Sequence, residues 1–455
     1  MKKIKPGLSK GTRDFLPREV AKRNYIFDTI KSVFRKYGFE EIETPAIEKL
    51  ETLTGKYGDE GDKLLFKILN SGDYLKDAPP ALLQNPNAKD LQPYIAEKGL
   101  RYDLTVPLAR YVVMYQDKLA FPFKRFHIGP AWRADRPQKG RYQEFYQCDA
   151  DIIGSTSMIC EAELTSICTE VFAKFGFGVK VRINSRKLLE ALAEYAGCLA
   201  LFAELTVCID KLDKIGFGGV KGELVKLGLS EEQIEKITSL LESNSLTDLT
   251  VALGNSEMGG KGLAEVNYVL QKAGSPAVEF DLTLARGLNY YTGIIWEVVL
   301  DKNNDALKNI SMGSLCGGGR YDNLTEIFGG QNMSGVGISF GIERIYDVME
   351  ELNLFPEAIA KGVKVLFVPR GPEMEEFTFK QVQAVREAGI SAEIFLGNVK
   401  KQKHFKYLED KNIQYMVEVG SDEQATGAYR LRNALSRETK EGLSLEHLIK
   451  QLSQG

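Results

Sequence analysis

The sequence predicts an α+β domain with an antiparallel sheet and flanking helices, interrupted by a helical insertion and followed by a small α/β domain. Three observations predict this architecture. Residues 123–127 and 143–149 are typical of two strands joined by a polar, glycine-bearing segment, as in a long antiparallel hairpin. Residues 186–275 have helical periodicity with few strand signals. Beyond residue 362, strand and helix patterns alternate, which indicates a partly parallel sheet.

The bulk composition is that of a globular protein with more than one domain. A chain of 455 residues is too long for one typical core, and its net charge of -3 means that any polyanion site must be a local patch. The six cysteines form no CxxC pair and the three histidines are far apart, so no Cys- or His-based metal site is predicted. The basic start lacks an apolar segment of the secretory type and no stretch is long enough to span a membrane, so we expect a cytoplasmic protein.

Local patterns predict the order of the elements in the first domain. Residues 19–37, 108–115 and 158–175 favour helices, whereas residues 64–69 and 101–106 favour strands. We place a domain boundary near residues 355–362. The predicted organisation is therefore a domain of residues 1–355, with its insertion at about 186–275, and a second domain of residues 362–455.

The tip of the predicted hairpin is strongly cationic. Arg133, Arg136, Lys139 and Arg141 lie within nine residues, and Phe145 follows on the return strand. Guanidinium groups match phosphate oxygens in a bidentate manner, and an aromatic ring stacks on a flat base. The pattern is therefore compatible with a nucleotide or nucleic-acid phosphate site. The alternative interpretation is a solvated, charged turn.

Three further segments are rich in glycine or tyrosine. They are LARGLNYYTG at residues 284–293, CGGGRYDNL at 316–324 and GVGISFGIERI at 335–345. None fits the Rossmann or P-loop pattern. The bare strand face at Gly335 and Gly337 is compatible with a flat adenine covered by Arg344. The alternative for LARGLNYYTG is an aromatic core strand, and that for CGGGRYDNL is a glycine-rich turn. For GVGISFGIERI the alternative is tight helix–sheet packing.

Together these segments resemble class II aminoacyl-tRNA synthetases, and specifically the histidyl-tRNA synthetase family. GFEEIETPAIE, with Pro45, resembles motif 1 of the class, the hairpin of residues 123–145 resembles motif 2, and GVGISFGIERI resembles motif 3. LARGLNYYTG and CGGGRYDNL resemble the two histidyl-specific segments, and RYDLTVPLAR supports the same assignment. The similarity runs over nearly the whole chain. It implies a class II catalytic domain, and a C-terminal domain that binds the anticodon.

The resemblance implies a set of ATP-binding residues. Arg133 matches the motif 2 arginine that grips the α-phosphate, and Arg141 and Arg344 match ligands of the β- and γ-phosphates. Phe145 matches the ring that stacks on adenine, opposite Arg344. Asp135 stands among these ATP-binding positions where class II enzymes more often have Glu, which affects local hydrogen bonding rather than the assignment.

A second set of residues matches positions at the amino acid. Asp103 and Thr105 match residues that hold the α-amino group, and Gln147 and Asp151 match polar groups nearby. The histidyl-specific segment LARGLNYYTG supplies the remaining positions: Tyr290 and Tyr291 match the pair that contacts the imidazole, and Arg286 matches the catalytic arginine that stabilises charge on the α-phosphate, together with Arg133. Asn289 stands where the family commonly has Asp.

The resemblance implies a two-step ligation. The carboxylate of L-histidine attacks the α-phosphate of ATP to give histidyl-adenylate and pyrophosphate, and the terminal ribose of tRNA(His) then takes the histidyl group with release of AMP. Mg²⁺ bridges pyrophosphate oxygens, fixed positive charge stabilises an in-line displacement, and no protein nucleophile takes part. The implied assembly is a cytoplasmic homodimer that does not need a membrane, and no structural metal is predicted.

Three alternatives remain at this point. The regulatory subunit of ATP phosphoribosyltransferase shares the catalytic fold, but it lacks a C-terminal domain and often lacks the motif arginines, whereas this chain has Arg133, Arg286 and Arg344. A prolyl or threonyl enzyme of class II lacks the two histidyl segments. The third alternative is a nucleic-acid-binding module without catalysis.

Overall fold

The computed structural model describes residues 5–55, 58–285, 291–323, 325–330, 332–360, 362–397 and 401–454. The chain divides into two compact units: the first comprises Arg23–Leu354 with the described part of Met1–Leu16, and the second comprises Pro17–Lys22 and Phe355–Gly455. The domain limits expected from the sequence, 1–355 with an insertion at 186–275 and 362–455, remain a prediction.

Helices of the first unit follow the apolar spacing of the sequence. The longest, α1, buries Ile26, Ile30, Val33 and Phe34 along one stripe, and Gly38 follows its end at φ +80°. The α-helices in chain order are α1 (Pro17–Lys36), α2 (Leu50–Leu53), α3 (Gly58–Lys63), α4 (Pro80–Gln84), α5 (Ala88–Ile95), α6 (Thr105–Tyr115), α7 (Ile159–Phe175), α8 (Arg186–Tyr195), α9 (Phe202–Asp210), α10 (Leu212–Lys226), α11 (Glu231–Ser243), α12 (Leu246–Leu253), α13 (Glu257–Ala273) and α14 (Ile342–Glu351).

Strands of the first unit form a large sheet and a small one. The strands in chain order are β1 (Glu40–Glu41), β2 (Ile47–Lys49), β3 (Lys67–Ile68), β4 (Lys98–Leu100), β5 (Phe123–Trp132), β6 (Glu144–Ile153), β7 (Val179–Ser185), β8 (Val278–Phe280), β9 (Ile294–Leu300), β10 (Cys316–Tyr321) and β11 (Gly335–Gly341). The large sheet has the order β1-β5-β6-β11-β10-β9-β7-β8, and the small one has the order β2-β4-β3. All pairs of the large sheet are antiparallel except β1–β5 and β7–β8. The antiparallel fold predicted from the sequence is confirmed.

The two faces of the large sheet differ in chemistry. One face of its central strands is apolar and fully buried, and it packs against α1 and α7 through contacts of Phe340 with Phe34 and with Phe172. The buried residues of that face are Phe126, Cys148, Ala150, Ile152, Val336, Ile338 and Phe340. Because strand side chains alternate, the residues between them occupy the opposite face. That opposite face carries the polar and glycine residues of the sequence motifs.

Some local predictions need correction. The strand predicted for residues 101–106 is wrong, because the chain leaves β4 at Leu100 and Asp103 Oδ1 accepts the Val106 N–H at 3.1 Å beside the first turn of α6. The strand predicted for residues 64–69 is reduced to Lys67–Ile68. The predicted hairpin is longer than expected, since β5 and β6 pair over ten residues each, from Phe123↔Ile153 to Trp132↔Glu144.

The stretch between β7 and β8 is helical. Helices α8 to α13 follow one another there without an intervening strand, over residues 186–277, which the structure describes throughout. Serine side chains cap several of them: Ser230 and Gln233 form a reciprocal capping box at α11, and Ser185, Ser245 and Ser256 cap α8, α12 and α13.

The second unit is an α/β sandwich of one sheet and its helices. Its strands are β12 (Val365–Pro369), β13 (Ala392–Ile394), β14 (Tyr415–Val419), β15 (Tyr429–Asn433) and β16 (Thr439–Leu443), and its helices are α15 (Glu375–Glu387), α16 (Lys401–Asp410), α17 (Ser421–Thr426) and α18 (Leu445–Gln454). The strand order is β13-β12-β14-β15-β16, with β12 parallel to both neighbours. The partly parallel α/β fold predicted for this part of the chain is confirmed. Across the part of the chain that the structure describes, none of the helices combines the length and the apolar character needed to cross a membrane.

A buried ion pair joins β10 to α7 in the first unit. Arg320 Nε donates to Glu161 Oε1, and the two side chains are 6% and 0% exposed. Arg320 Nη1 also donates to the Ser155 carbonyl at 3.1 Å, and Asp322 Oδ1 lies 3.8 Å from the same nitrogen. Removing one member of such a pair leaves an uncompensated buried charge, which is strongly destabilising.

We predict that Glu161→Gln lowers the free energy of unfolding by about 3 kcal/mol, the lower end of the usual range because Asp322 remains near the guanidinium. Urea unfolding followed by tryptophan fluorescence measures this, since both tryptophans, Trp132 and Trp296, belong to the first unit. Glu232→Gln, which breaks an exposed ion pair with Lys236 at 2.8 Å, is the matched control and leaves the midpoint unchanged. A Glu161→Gln midpoint equal to that of the control contradicts the prediction.

Candidate active site

The polar face of the central strands forms the floor of the candidate site. On β6, alternation places Phe145, Gln147, Asp149 and Asp151 in one row, from the hairpin tip inward. On β11, the register pairs Gly341, Ser339 and Gly337 with Gln147, Asp149 and Asp151, respectively. On β5, Arg125 and His127 pair with Asp151 and Asp149. The floor therefore runs from an aromatic ring, through an amide, to buried charges.

Glycines on this floor make room for protein side chains. A Cβ at Gly337 would lie 1.9 Å from Asp151 Oδ1, and a Cβ at Gly335 would lie 2.3 Å from the Tyr321 ring. Similarly, a Cβ at Gly319 would lie 2.6 Å from the Tyr291 ring. The interpretation of Gly335 and Gly337 as a surface for adenine is therefore wrong, because their open side is filled by Tyr321 and Asp151.

One cavity of about 250 Å³ opens at the outer end of the floor. Its lining brings together residues from the hairpin, from β10 with the residues before it, and from the start of α14, which are up to 211 positions apart in the chain (133 to 344). The predicted site residues that line it are Arg133, Asp135, Arg141, Phe145, Gln147 and Arg344. The further lining residues include Tyr142, Ser314, Cys316, Ser339 and Glu343.

Backbone carbonyls orient the cavity arginines. Arg133 Nε donates to the Tyr102 carbonyl at 3.1 Å, and its guanidinium lies between the rings of Tyr102 and Phe145, at 4.1 and 5.1 Å from their centroids. Arg344 donates to the carbonyls of Gly140 and Ser314 at 3.2 and 2.6 Å. A carbonyl fixes the direction of the Arg133 guanidinium without cancelling its charge, so positive charge remains available to a ligand.

The hairpin tip folds back on itself beside the cavity. Gln138 and Arg141 form an isolated antiparallel bridge, and Arg141 Nε lies 3.1 Å from Asp135 Oδ2. Gly140 adopts φ +69°, which favours glycine, and a Cβ there would approach Arg344 Cγ to 3.0 Å. This glycine therefore lets the tip pass close to Arg344.

A cluster of buried charges occupies the inner end of the floor. Arg125 Nη2 lies 2.6 Å from Asp151 Oδ2 with both side chains almost fully buried, and the Tyr321 hydroxyl donates to Asp151 Oδ1. Asp103 and Asp149 are equally buried and interact electrostatically with this pair. Arg125 interacts electrostatically with Asp149 and Asp151, and Arg101 interacts with Asp149.

Burial shifts the titration of this cluster. It raises the pKa of Asp149 to about 7, with Asp151 adding to the shift and Arg125 opposing it. Burial also raises the pKa of Asp151, against the opposing effects of Arg125 and the Tyr321 hydroxyl. Burial, followed by the charges of Arg125 and Arg101, lowers the pKa of His127 to about 3, so this imidazole is neutral at physiological pH. Burial thus favours the neutral forms of these carboxyl groups, whereas a nearby positive charge favours their ionised forms.

The remaining predicted residues lie on the same side of the sheet or outside the described chain. Thr105 is the first residue of α6, two positions after Asp103. Tyr291 is half-buried with its ring against Gly319. Arg286 and Tyr290 lie outside the described residues, as does Asn289.

Sequence reasoning missed several residues that shape this site. Arg125 was not among the predicted site residues, and its position directly opposite Asp151 follows only from the hairpin register. Tyr321 belongs to the glycine-rich segment that was singled out, but its contact with Asp151 joins residues 170 positions apart. Glu343, beside Arg344, is buried and accepts the Tyr146 N–H at 3.2 Å. Alternation within the hairpin was the available signal for Arg125.

No group of three or more metal-ligating side chains occurs among the described residues. The lining of the cavity carries the carboxylates of Asp135 and Glu343, and both are engaged by arginines. This donor set fits a hard cation only if other oxygens supply most of its ligands, as phosphates and water do for Mg²⁺.

Comparisons with known proteins support one family along the whole chain. The family model described as Histidyl-tRNA synthetase matches residues 11–75 and 90–345, and the model described as Anticodon binding domain matches residues 364–455. A Histidine--tRNA ligase from Phocaeicola vulgatus is 50% identical over 444 residues, which cover 95% of this chain and 96% of that protein.

Solved structures give the same picture of the fold. The crystal structure of histidyl-tRNA synthetase from Nostoc sp. PCC 7120 matches with a TM-score of 0.77 at 30% identity, covering 99% of this chain and 100% of that chain. A Bacillus halodurans structure described as an ATP phosphoribosyltransferase regulatory subunit/histidyl-tRNA synthetase matches with a TM-score of 0.72 at 21% identity, covering 92% of this chain and 100% of that chain, and shows the fold alone. Since a family model covers more than half of the residues and a relative shares half of the sequence, the chain belongs to the histidyl-tRNA synthetase family.

Proposed function

We propose that this chain ligates L-histidine to tRNA(His) in two steps, through a histidyl-adenylate formed from ATP. The observation that carries the proposal is the convergence of Arg133, Arg141, Phe145 and Arg344 on one cavity. Membership in the histidyl-tRNA synthetase family supports the same reaction. An aromatic ring and three guanidinium groups together match a base and a phosphate chain.

The cavity suggests how ATP is held. Arg133 is oriented by a carbonyl and makes no ion pair with a described residue, so its charge is available to the α-phosphate. Arg141 lies on the tip, and Arg344, at the start of α14, donates to the carbonyl of the adjoining Gly140; both are proposed to bind the β- and γ-phosphates. Phe145 offers its ring to adenine. Asp135 holds Arg141 by an ion pair rather than contacting an anion itself.

The buried cluster suggests how the amino acid is recognised. The carboxyl groups of Asp103, Asp149 and Asp151 lie close together, and an incoming ammonium group would favour their ionised forms. Gln147 donates to Ser339 Oγ at 2.9 Å, while its Oε1 is buried without a partner among the described residues. We propose that this oxygen and Thr105 complete the α-amino site, and that Tyr290 and Tyr291 contact the imidazole.

In this proposal, catalysis depends on aligning the histidine carboxylate with the α-phosphate and on fixed positive charge around that phosphate. Arg133 and Arg286 stabilise the negative charge that develops on the α-phosphate, and no side chain forms a covalent intermediate. Mg²⁺ on the phosphates, with Asp135 and Glu343 as the carboxylates nearby, would supply further charge stabilisation. Rejection of apolar analogues by a site that hydrogen-bonds the imidazole reaches about 10⁴-fold.

The second unit and the surface of the first suggest the partners. Residues 364–455 match an anticodon-binding model, and we propose that they read single-stranded anticodon bases.

We also propose a cytoplasmic homodimer. The large apolar side chains of Ile47 and Met114 are 50% and 62% exposed on β2 and α6, two elements that the Arg110–Glu48 ion pair joins. Such exposed apolar surface is typical of an interface.

We predict histidine-dependent exchange of pyrophosphate into ATP by the purified chain. The reason is that the first step is reversible and needs only the cavity and the amino acid site. The assay measures labelled ATP formed with histidine, with proline and with threonine. Exchange with histidine alone supports the proposal. Exchange with another amino acid, or none at all, contradicts it and favours one of the alternatives, a regulatory subunit included.

We predict that Gln147→Leu raises the KM for histidine about 10- to 100-fold, because it removes hydrogen bonds near a charged group while preserving the volume of the side chain. The KM for ATP changes little, since this proposal assigns Gln147 to the amino acid rather than to ATP. Exchange assays with each substrate varied in turn measure both constants. An equal rise in both constants would show that the residue supports the cavity as a whole.

We predict that Arg286→Ala lowers kcat and kcat/KM by comparable factors of about 10² to 10³, because its proposed contact forms with charge in the transition state. Pre-steady-state formation of the adenylate gives the chemical rate directly. Thermal unfolding of the variant serves as the control for folding. A change confined to KM would remove Arg286 from the catalytic role.

A further inference from the structure

The segment before α1 runs along the outside of the hairpin. Residues 9–16 have the sequence SKGTRDFL, which none of the site motifs includes. The Gly11 carbonyl accepts the N–H groups of Gln143 and Glu144, at 2.9 and 3.4 Å, where β6 begins. Gly11 has φ +77°, and a Cβ there would lie 2.6 Å from Gln143 Cγ. The segment is therefore tied by its backbone to the return strand of the hairpin.

Arg13 of this segment contacts two residues of the cavity wall without lining the cavity itself. Its guanidinium carbon lies 3.4 Å from the centroid of the Tyr142 ring and 4.9 Å from that of Phe15. Its Nη2 lies 3.5 Å from Glu343 Oε1. Both Tyr142 and Glu343 line the cavity. One side chain from outside the site motifs thus contacts two separate parts of the cavity wall.

Glu343 also contacts the segment before α1, α1 itself and β6. Arg23 Nη1 of α1 lies 3.1 Å from Glu343 Oε1, the oxygen that Arg13 also approaches. The carboxylate accepts the Tyr146 N–H of β6 as well. Arg344 is the next residue along α14. Arg23 therefore holds Glu343 even without Arg13, whereas the close stacking partner of Tyr142 is Arg13.

We propose that Arg13 is a positioning residue for ATP, which acts by stacking on Tyr142 and so fixes the wall of the cavity between Arg141 and Phe145. The inference rests on the proposed function, because it assumes that ATP occupies this cavity. A guanidinium stacked on an aromatic ring restrains that ring at low entropic cost. Arg13 does not touch the nucleotide itself. Its loss frees the Tyr142 ring and the adjoining tip residues, which weakens nucleotide binding and leaves the amino acid site in place.

The main experiment compares Arg13→Ala with wild type in histidine-dependent ATP–pyrophosphate exchange. We expect the KM for ATP to rise about three- to tenfold, the range that one partly exposed cation–π contact supports, while the KM for histidine stays within about twofold. Arg13→Lys keeps the charge opposite Glu343 but lacks the flat guanidinium. Its KM for ATP should therefore lie between those of wild type and Arg13→Ala. Lys10→Ala is the matched control, since Lys10 is an exposed cation of the same segment.

A double-mutant cycle tests the route through Tyr142. If Arg13 acts through that ring, Tyr142→Leu raises the KM for ATP, and adding Arg13→Ala to it causes no further rise. Independent, multiplying effects overturn the proposal. So does an unchanged KM for ATP in Arg13→Ala, or an equal rise for both substrates. If Arg13→Ala does not fold, Arg13→Lys decides, and a failure of both to fold makes the residue structural and overturns the proposal.

Direct ATP binding separates this inference from the proposed function. Calorimetric titration of ATP into the full chain, without histidine, measures nucleotide affinity alone. Weaker binding by Arg13→Ala than by wild type supports the inference even if exchange with histidine is absent and the proposed function fails. Exchange by wild type with unaltered ATP affinity in Arg13→Ala overturns the inference and leaves the proposed function standing. No binding of ATP by wild type overturns both.

Discussion

The antiparallel pairing of β6 with β11 is the constraint on which the site depends. It aligns Gln147, Asp149 and Asp151 with Gly341, Ser339 and Gly337, and so brings two segments nearly 200 residues apart into one surface. Because β11 leads directly into α14, the same pairing also positions Arg344, near the start of α14, beside the hairpin tip. Alternation then separates the functions of each strand, because the apolar face packs on α1 and α7 while the other face stays polar. A slip of one residue would exchange the two faces and bury the cavity side chains in the core.

The buried charges of Arg125 and Asp151 are stable in this position because they form an ion pair. Arg125 lies directly across the sheet from Asp151, and the missing side chain of Gly337 leaves the space that this carboxylate occupies. Desolvation still dominates, as the raised pKa of Asp149 and the lowered pKa of His127 show. Such a cluster is not an efficient way to stabilise a fold, since an apolar replacement of similar volume is often as stable. The grouping of these carboxyl groups is better explained by the proposed binding of an ammonium group, which favours their ionised forms.

Much of the fold followed from the sequence, and the reasons for the exceptions are physical. Periodicity located α1, α7 and the hairpin, because their apolar patterns are long and regular. It failed for residues 101–106, where Asp103 directs the chain into α6, and for the glycines at 335 and 337, whose neighbours come from distant strands. Residues such as Arg133 and Phe145 stand in a dense local pattern and were found. Arg125, Tyr321 and Glu343 were not, because only the tertiary register supplies their partners. The roles of the site residues themselves remain predictions.

The acceptors around each arginine separate those that hold the fold from those suited to a ligand. Arg23, Arg125 and Arg320 each face a buried carboxylate, which neutralises the guanidinium inside the protein. Arg133 instead donates to a backbone carbonyl and lies between two rings, and carbonyls also direct Arg344. A carbonyl or a ring restrains a guanidinium while leaving its full charge, so the order that binding would otherwise impose is already present. The distinction lies in the chemistry of the acceptors rather than in the number of contacts. On this basis Arg23, Arg125 and Arg320 complete the structure, whereas Arg133 keeps a charge suited to an anionic substrate. Arg141, which Asp135 holds at the exposed tip, does not follow this distinction.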